Sequence, residues 1–178
     1  MRRTLLISAL SMAITGLLLA TSAAADPKGK GDEKIKVQLK GLEEAPVAIT
    51  GASGQLQLTI NEAAGTIAYE LTYEDLEGTV TQSHIHVGQK NIVGGIAIWL
   101  CQTATNPAPT AVATATPQCP QAGKVTGTIT AASVIGPLPQ LVTAGQLDEV
   151  IDAIRAGVAY GNVHSVAVPG GEIRGQLK

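Results

Sequence analysis

Apolar and polar residues alternate with a period of two along most of the chain after residue 33. Ile35, Val37 and Leu39 are interleaved with Lys34, Lys36, Gln38 and Lys40; Leu56, Leu58 and Ile60 with Gln55, Gln57 and Thr59; and Ile67, Tyr69, Leu71 and Tyr73 with Ala68, Glu70 and Thr72. Each run predicts a strand with one dry face. Residues 61–65, ending in Gly65, have the length of a hairpin connection between the second and third runs. Further strands are predicted over 80–87, 95–101, 124–130, 158–166 and 172–177. One segment has a helical period instead. In TAGQLDEVIDAIRAG, Leu147, Val150, Ile151 and Ile154 fall at i, i+3, i+4 and i+7. Thr143 and Gln146 have capping-box spacing, and Gly157 sits where a C-terminal cap belongs. The stripe is expected to pack on an end or edge of the strands. Seven or eight short strands, one short helix in a late connection and no βαβ alternation predict an all-β fold, an antiparallel β-sandwich or barrel.

The first 25 residues have another explanation. Arg2 and Arg3 precede an apolar stretch from Leu5 to Ala20, and Ala23-Ala24-Ala25 is a small-residue cleavage site, the pattern of a signal peptide over 1–25. Residues 26–33, DPKGKGDE, read as a flexible leader, and 34–178 as one β domain. Cleavage removes Arg2 and Arg3 and takes the formal charge from −2 to −4. No basic stripe interleaved with aromatics is present, so nucleic acid is excluded as a partner. No later stretch is long enough and apolar enough to span a bilayer. The expected location is secreted or periplasmic.

Export decides how the two cysteines read. Cys101 and Cys119 bracket a Thr/Ala/Pro-rich segment without strand or helix period, and an oxidising compartment favours a disulfide between them. The alternative, a metal-ligating or reactive pair, lacks the CxxC spacing and has no nearby histidine.

The three histidines lie in two short stretches, SHIHVG and YGNVHS. On a strand His84 and His86 project from one face, close enough for two imidazoles to share an ion. His164, with Tyr160 and Asn162 on its own face, supplies a third nitrogen if its strand lies beside theirs. Three neutral nitrogens suit copper or zinc. The competing reading makes them hydrogen-bonding residues facing solvent or a covering loop, because Ile85 and Val87 claim the opposite face. No Asp or Glu adjoins them in sequence as an outer partner. Catalytic signatures are missing: GxSxG, HExxH, P-loop and GxGxxG do not occur. Ser83 adjoins His84 but points to the other face, so the two are badly placed to act as nucleophile and base. Glu172 and Arg174, two apart on the last strand, are expected to form an ion pair or to anchor that strand.

SHIHVG, the apolar strand GGIAIWLC, the helix and strand LDEVIDAIRAGVAYGNVHS and the closing PGGEIRGQL together resemble the chordin-type CHRD domain over about residues 34–178. The resemblance implies an extracytoplasmic all-β module of immunoglobulin-like or sandwich type, found singly in bacteria. The cysteines and the segment between them depart from the plainer family pattern. A fainter similarity links SHIHVG and GGEIRGQ to copper/zinc superoxide dismutases, but three histidines cannot build their two-metal site. Two functions are therefore carried forward. One is an exported non-enzymatic binding or structural module with an unidentified extracytoplasmic partner. The other is a copper- or zinc-binding protein using His84, His86 and His164, remotely superoxide dismutase-like.

Overall fold

The structure is a computed structural model that describes residues 31–178; the expected signal peptide and residues 26–30 of the leader lie outside the described residues. Eight strands form: β1 (Glu33–Lys40), β2 (Ser53–Asn61), β3 (Thr66–Glu74), β4 (Val80–Val87), β5 (Gly95–Cys101), β6 (Gly123–Ile129), β7 (Ala159–Ser165) and β8 (Ile173–Leu177). They make one antiparallel sheet in the order β5-β4-β7-β8-β1-β2-β3-β6. The β2–β3 hairpin turns where its sequence says it should. The Asn61 side chain accepts from Ala64 N–H at 2.9 Å, and Gly65 takes the left-handed φ of 62° that closes the turn.

The sheet curls until its two edges nearly meet, giving a barrel that is almost closed. Ile98 of β5 bridges to Val134, just beyond β6, and Gln102 to Gln118. Across the same gap the Tyr69 hydroxyl donates to Leu100 C=O at 2.7 Å. Leu39, Leu56, Leu58, Ile67, Leu71, Ile85, Ile98 and Leu100 fill the interior with almost no exposure. Aliphatic side chains supply nearly all of this core, at about 1.5–3 kcal/mol per fully buried residue.

A single helical turn, α1 (Thr110–Ala113), lies between the cysteines, where no helical period was expected. Cys101 and Cys119 are joined as a disulfide. The segment they close folds around one buried side chain. Gln102 Nε2 donates to Ala113 C=O and Thr116 C=O, at 2.6 and 2.7 Å, and its Oε1 accepts Ala108 N–H. A glutamine can answer three backbone groups at once, which is why a segment poor in periodicity is ordered.

The longer helix, α2 (Leu147–Arg155), starts after the predicted box. Only half of that box forms, Gln146 Oε1 accepting Thr143 N–H at 2.7 Å. Its C-terminus is as expected: Gly157 has φ 69°, with Gly157 N–H on Ile154 C=O and Val158 N–H on Ala153 C=O, the paired bonds of a Schellman cap. Leu147, Val150, Ile151 and Ile154 are all buried in the core cluster. Arg155 ties the helix end to Glu33 at 2.7 Å and to Glu62 at 2.8 Å. Among the described residues no helix is long and apolar enough to cross a membrane.

Candidate metal centre

β4 is buried on both faces. Ile85 enters the barrel opposite Ile98, so His84 and His86 stand on its outer face, opposite Trp99 and Ile96. β7 pairs with β4 so that His84 lies across from Asn162 and His86 from Tyr160. That register brings His164 to the same patch. β8 adds Arg174 across from Asn162, and Gln176 across from Tyr160. The outer face of β5-β4-β7-β8 therefore carries a second, polar layer.

Three backbone segments roof this layer. The 88–94 loop is held by Gln176 Nε2 on Gly88 C=O at 2.9 Å and by Arg174, which donates to Gln89 C=O and Ile92 C=O at 2.8 and 3.0 Å. Gly94 N–H bonds the Tyr160 hydroxyl at 3.2 Å. The 165–172 turn is pinned by Glu172, which accepts from Ser165, from Thr50 Oγ1 and from Glu77 N–H. The third segment, around Glu44, follows β1. The histidines thus lie beneath covering loops, with exposures of 0% for His84, 6% for His86 and 5% for His164.

The expected ion pair between Glu172 and Arg174 does not form. Glu172 precedes β8 and turns to hydroxyl and amide donors, whereas Arg174 spends its donors on loop carbonyls. Both anchor the chain, but separately. The Arg174 guanidinium lies 3.3 Å over the Tyr160 ring, which stacks in turn on His86 at 4.7 Å with a 4° interplanar angle. A cation over a ring face is favourable, more so when desolvated.

The ligand-capable nitrogens of His84, His86 and His164, one from each, lie within 4.8 Å of one another. His84 Nδ1 and His164 Nε2 are 3.2 Å apart. Two donors on one tetrahedral ion with bonds of 2.0–2.1 Å stand about 3.3 Å apart, so this pair already has the spacing. The two remaining Nδ1 atoms face backbone carbonyls: His86 faces Gly94 C=O and His164 faces Pro169 C=O, each at 2.9 Å. A carbonyl only accepts, so each Nδ1 carries the proton and each Nε2 a lone pair, the arrangement that fixes the tautomer of metal-ligating imidazoles. Burial drives all three toward the neutral form. It pulls His84 down to about 2, with His164 and His86 adding repulsion, and His86 down to about 4; His164 is also lowered, chiefly by burial. His84 Nε2 and His86 Nε2 have no hydrogen-bond partner. In a site this dry, neutral nitrogens with free lone pairs suit a borderline metal ion.

The sequence pattern located the three imidazoles and the faces of Tyr160 and Asn162. It gave no signal for Glu44, which arrives from a turn forty residues before His84. Glu44 is 4% exposed and its Oε1 lacks a partner. Burial raises its carboxyl to about 7, against the opposing pull of Ala45 N–H, Arg174 and Asn162. An alanine-sized side chain at Gly171 would meet both Glu44 Oε1 and Asn162 Nδ2, so the two groups meet over a residue that only glycine can fill.

These features define a disulfide-closed β-barrel module with a buried polar layer roofed onto its outer face. The chain belongs to the CHRD domain family, whose family model matches residues 35–177. Comparison with curated proteins gives no match, and comparison with solved structures gives none. Membership supports a binding or structural module in general terms, and the disulfide is compatible with the extracellular setting typical of CHRD domains.

Proposed function

We propose that this protein is an exported, non-enzymatic CHRD module that binds one transition-metal ion, copper or zinc, through His84, His86 and His164. One observation carries the reading: three buried neutral imidazoles converge within 4.8 Å, with the far nitrogens of His86 and His164 committed to backbone carbonyls. Hydrogen bonding alone is a poor account of the cluster, because it leaves two imidazole nitrogens buried and unanswered. An ion would take the His86 Nε2 lone pair as a ligand beside His84 Nδ1 and His164 Nε2, and the carbonyl partners of His86 and His164 would hold those two rings in register for it.

The test is calorimetric titration of chelator-stripped mature protein with Zn²⁺ and with Cu²⁺. One ion per chain is expected, with stoichiometric binding abolished by His86→Ala and an upward shift in Tm that grows with free metal. Absence of stoichiometric binding, or binding that survives His86→Ala, overturns the reading and leaves a passive scaffold.

A further inference from the structure

The Asn162 side chain lies at the centre of the polar layer, and its two ends meet different neighbours. Its Nδ2 end lies against Glu44 over Gly171, and this amide favours the ionised form of the carboxyl. An NH₂ group directed at a carboxylate is the favourable orientation, and it turns Oδ1 toward the histidines. That oxygen is 3.1 Å from His164 Nε2, and Asn162 is also within reach of His86. Because His164 Nδ1 faces the Pro169 carbonyl, its Nε2 bears a lone pair. Oδ1 and Nε2 are therefore two acceptors in contact with no proton of their own to share.

Counting donors makes the mismatch plain. His164 Nε2, His86 Nε2 and Asn162 Oδ1 all present lone pairs to the cluster. His84 Nδ1 can offer one proton, to His164. A further positive centre is needed for contacts this close to be favourable. An imidazolium on His164 would supply one, but a buried layer that already holds the Arg174 cation opposes it. A metal ion supplies one and offsets its own burial by bonding several of these lone pairs directly.

Resting on the metal reading above, we infer that the Asn162 side-chain oxygen is the fourth ligand, completing a closed three-nitrogen, one-oxygen site for a divalent borderline ion of the zinc type. The spacings agree: 3.1 Å from Oδ1 to His164 Nε2 and 3.2 Å from there to His84 Nδ1, beside about 3.3 Å for neighbouring donors on a tetrahedral ion. Glu44 lies beside the Nδ2 end and favours the orientation that keeps the amide oxygen inward, which makes it the positioning residue. A site closed by four protein donors keeps no position for water or substrate, so its chemistry is retention of the ion rather than turnover.

Metal titration and an open-site probe separate this inference from the reading it rests on. Wild type, Asn162→Ala and Asn162→Asp are loaded with Co²⁺, whose visible spectrum reports coordination, and azide is then added. Wild type is expected to be azide-silent. Asn162→Ala should bind Zn²⁺ about 100-fold more weakly, at least the loss seen when outer-shell partners of ligands are removed, and its Co²⁺ spectrum should shift with azide. Asn162→Asp keeps an oxygen donor and should remain azide-silent, which serves as the check if the alanine variant does not fold. An azide response in wild type, an Asn162→Ala affinity within twofold of wild type, or an aspartate variant that opens the site would overturn the fourth ligand while the three-histidine reading stands. Failure of wild type to take up any of Zn²⁺, Co²⁺ and Cu²⁺ overturns both.

Discussion

Glu44→Gln in metal-free protein gives the sharpest test of how the outer layer is balanced. Burial raises the Glu44 carboxyl from 4.5 to about 7, because its charge is costly in a dry layer where only Ala45 N–H, Arg174 and Asn162 oppose the penalty. The folded chain therefore holds this proton more tightly than the unfolded chain. Its contribution to stability is complete below about pH 4.5 and is lost as pH rises through about 7. At about 1.4 kcal/mol per tenfold change in proton affinity, the loss approaches about 3 kcal/mol. Glutamine fills the same space without the charge and escapes it. The stability difference between variant and wild type should grow by about 3 kcal/mol between pH 4.5 and pH 8, or about 6–12 °C in Tm for a domain of this size. The buried histidines act in the opposite direction. His86 at about 4 and His84 at about 2 stay neutral in the fold while unfolded histidine protonates below about 6.5, so both proteins lose stability as pH falls beneath that value. That loss is common to the two and cancels in the comparison. The assay is urea unfolding in chelator across the pH range. Parallel curves for the two proteins would refute the assignment of a buried, proton-holding carboxyl.

Other expectations rest on separate parts of the fold. Ile151→Asp places a carboxylate in the buried stripe of α2 and should abolish cooperative unfolding by circular dichroism; wild-type Tm in that variant would mean the stripe faces something other than the core. Replacing Cys101 and Cys119 together by serine should cost about 3 kcal/mol in chemical denaturation, the chain-entropy value for a loop of this size, with a loss under 1 kcal/mol counting against that account. Tyr69→Phe leaves Leu100 C=O without its 2.7 Å donor at the barrel seam and should cost about 1–2 kcal/mol by the same measurement. Gly161→Ala drives a methyl group to 2.5 Å from Leu56 Cδ2 and should cost about 1–3 kcal/mol, with a neutral result showing that the strand can shift.

The strands, α2 and the disulfide were legible because each leaves a local signature: a period of two, a 3.6 stripe ending in glycine, or a lone cysteine pair. The histidine cluster was legible only in part. Spacing put His84 and His86 on one face, and Tyr160, Asn162 and His164 on another, but joining the two needed the β4–β7 pairing, which no local pattern encodes. Glu44 was invisible for the same reason. The adjacent Glu43 and Glu44 after a strand read as solvated loop charges until the Gly171 turn is laid over Glu44. Of the two readings of Glu172 and Arg174, anchoring holds and the ion pair does not: β8 begins at Ile173, so the two residues do not share that strand. Gln102 was missed because its role is to answer backbone groups, and a lone glutamine announces nothing in sequence.

The parity of the numbering on three neighbouring strands has a final consequence. Even positions, His84 and His86, then Tyr160, Asn162 and His164, then Arg174 and Gln176, all face the roofed layer, while odd positions, Ile85, Val163, Ile173 and Leu177, all point into the barrel. Inserting or deleting one residue inside β7 or β8, whose mutual pairing has no bulge to absorb it, would exchange the two sets, plunging an imidazole into hydrocarbon and lifting aliphatics beneath the roof. Drift in length is therefore tolerated in the connections and at the irregularities of β4, and whatever the imidazoles hold is inherited together with the oil beneath them.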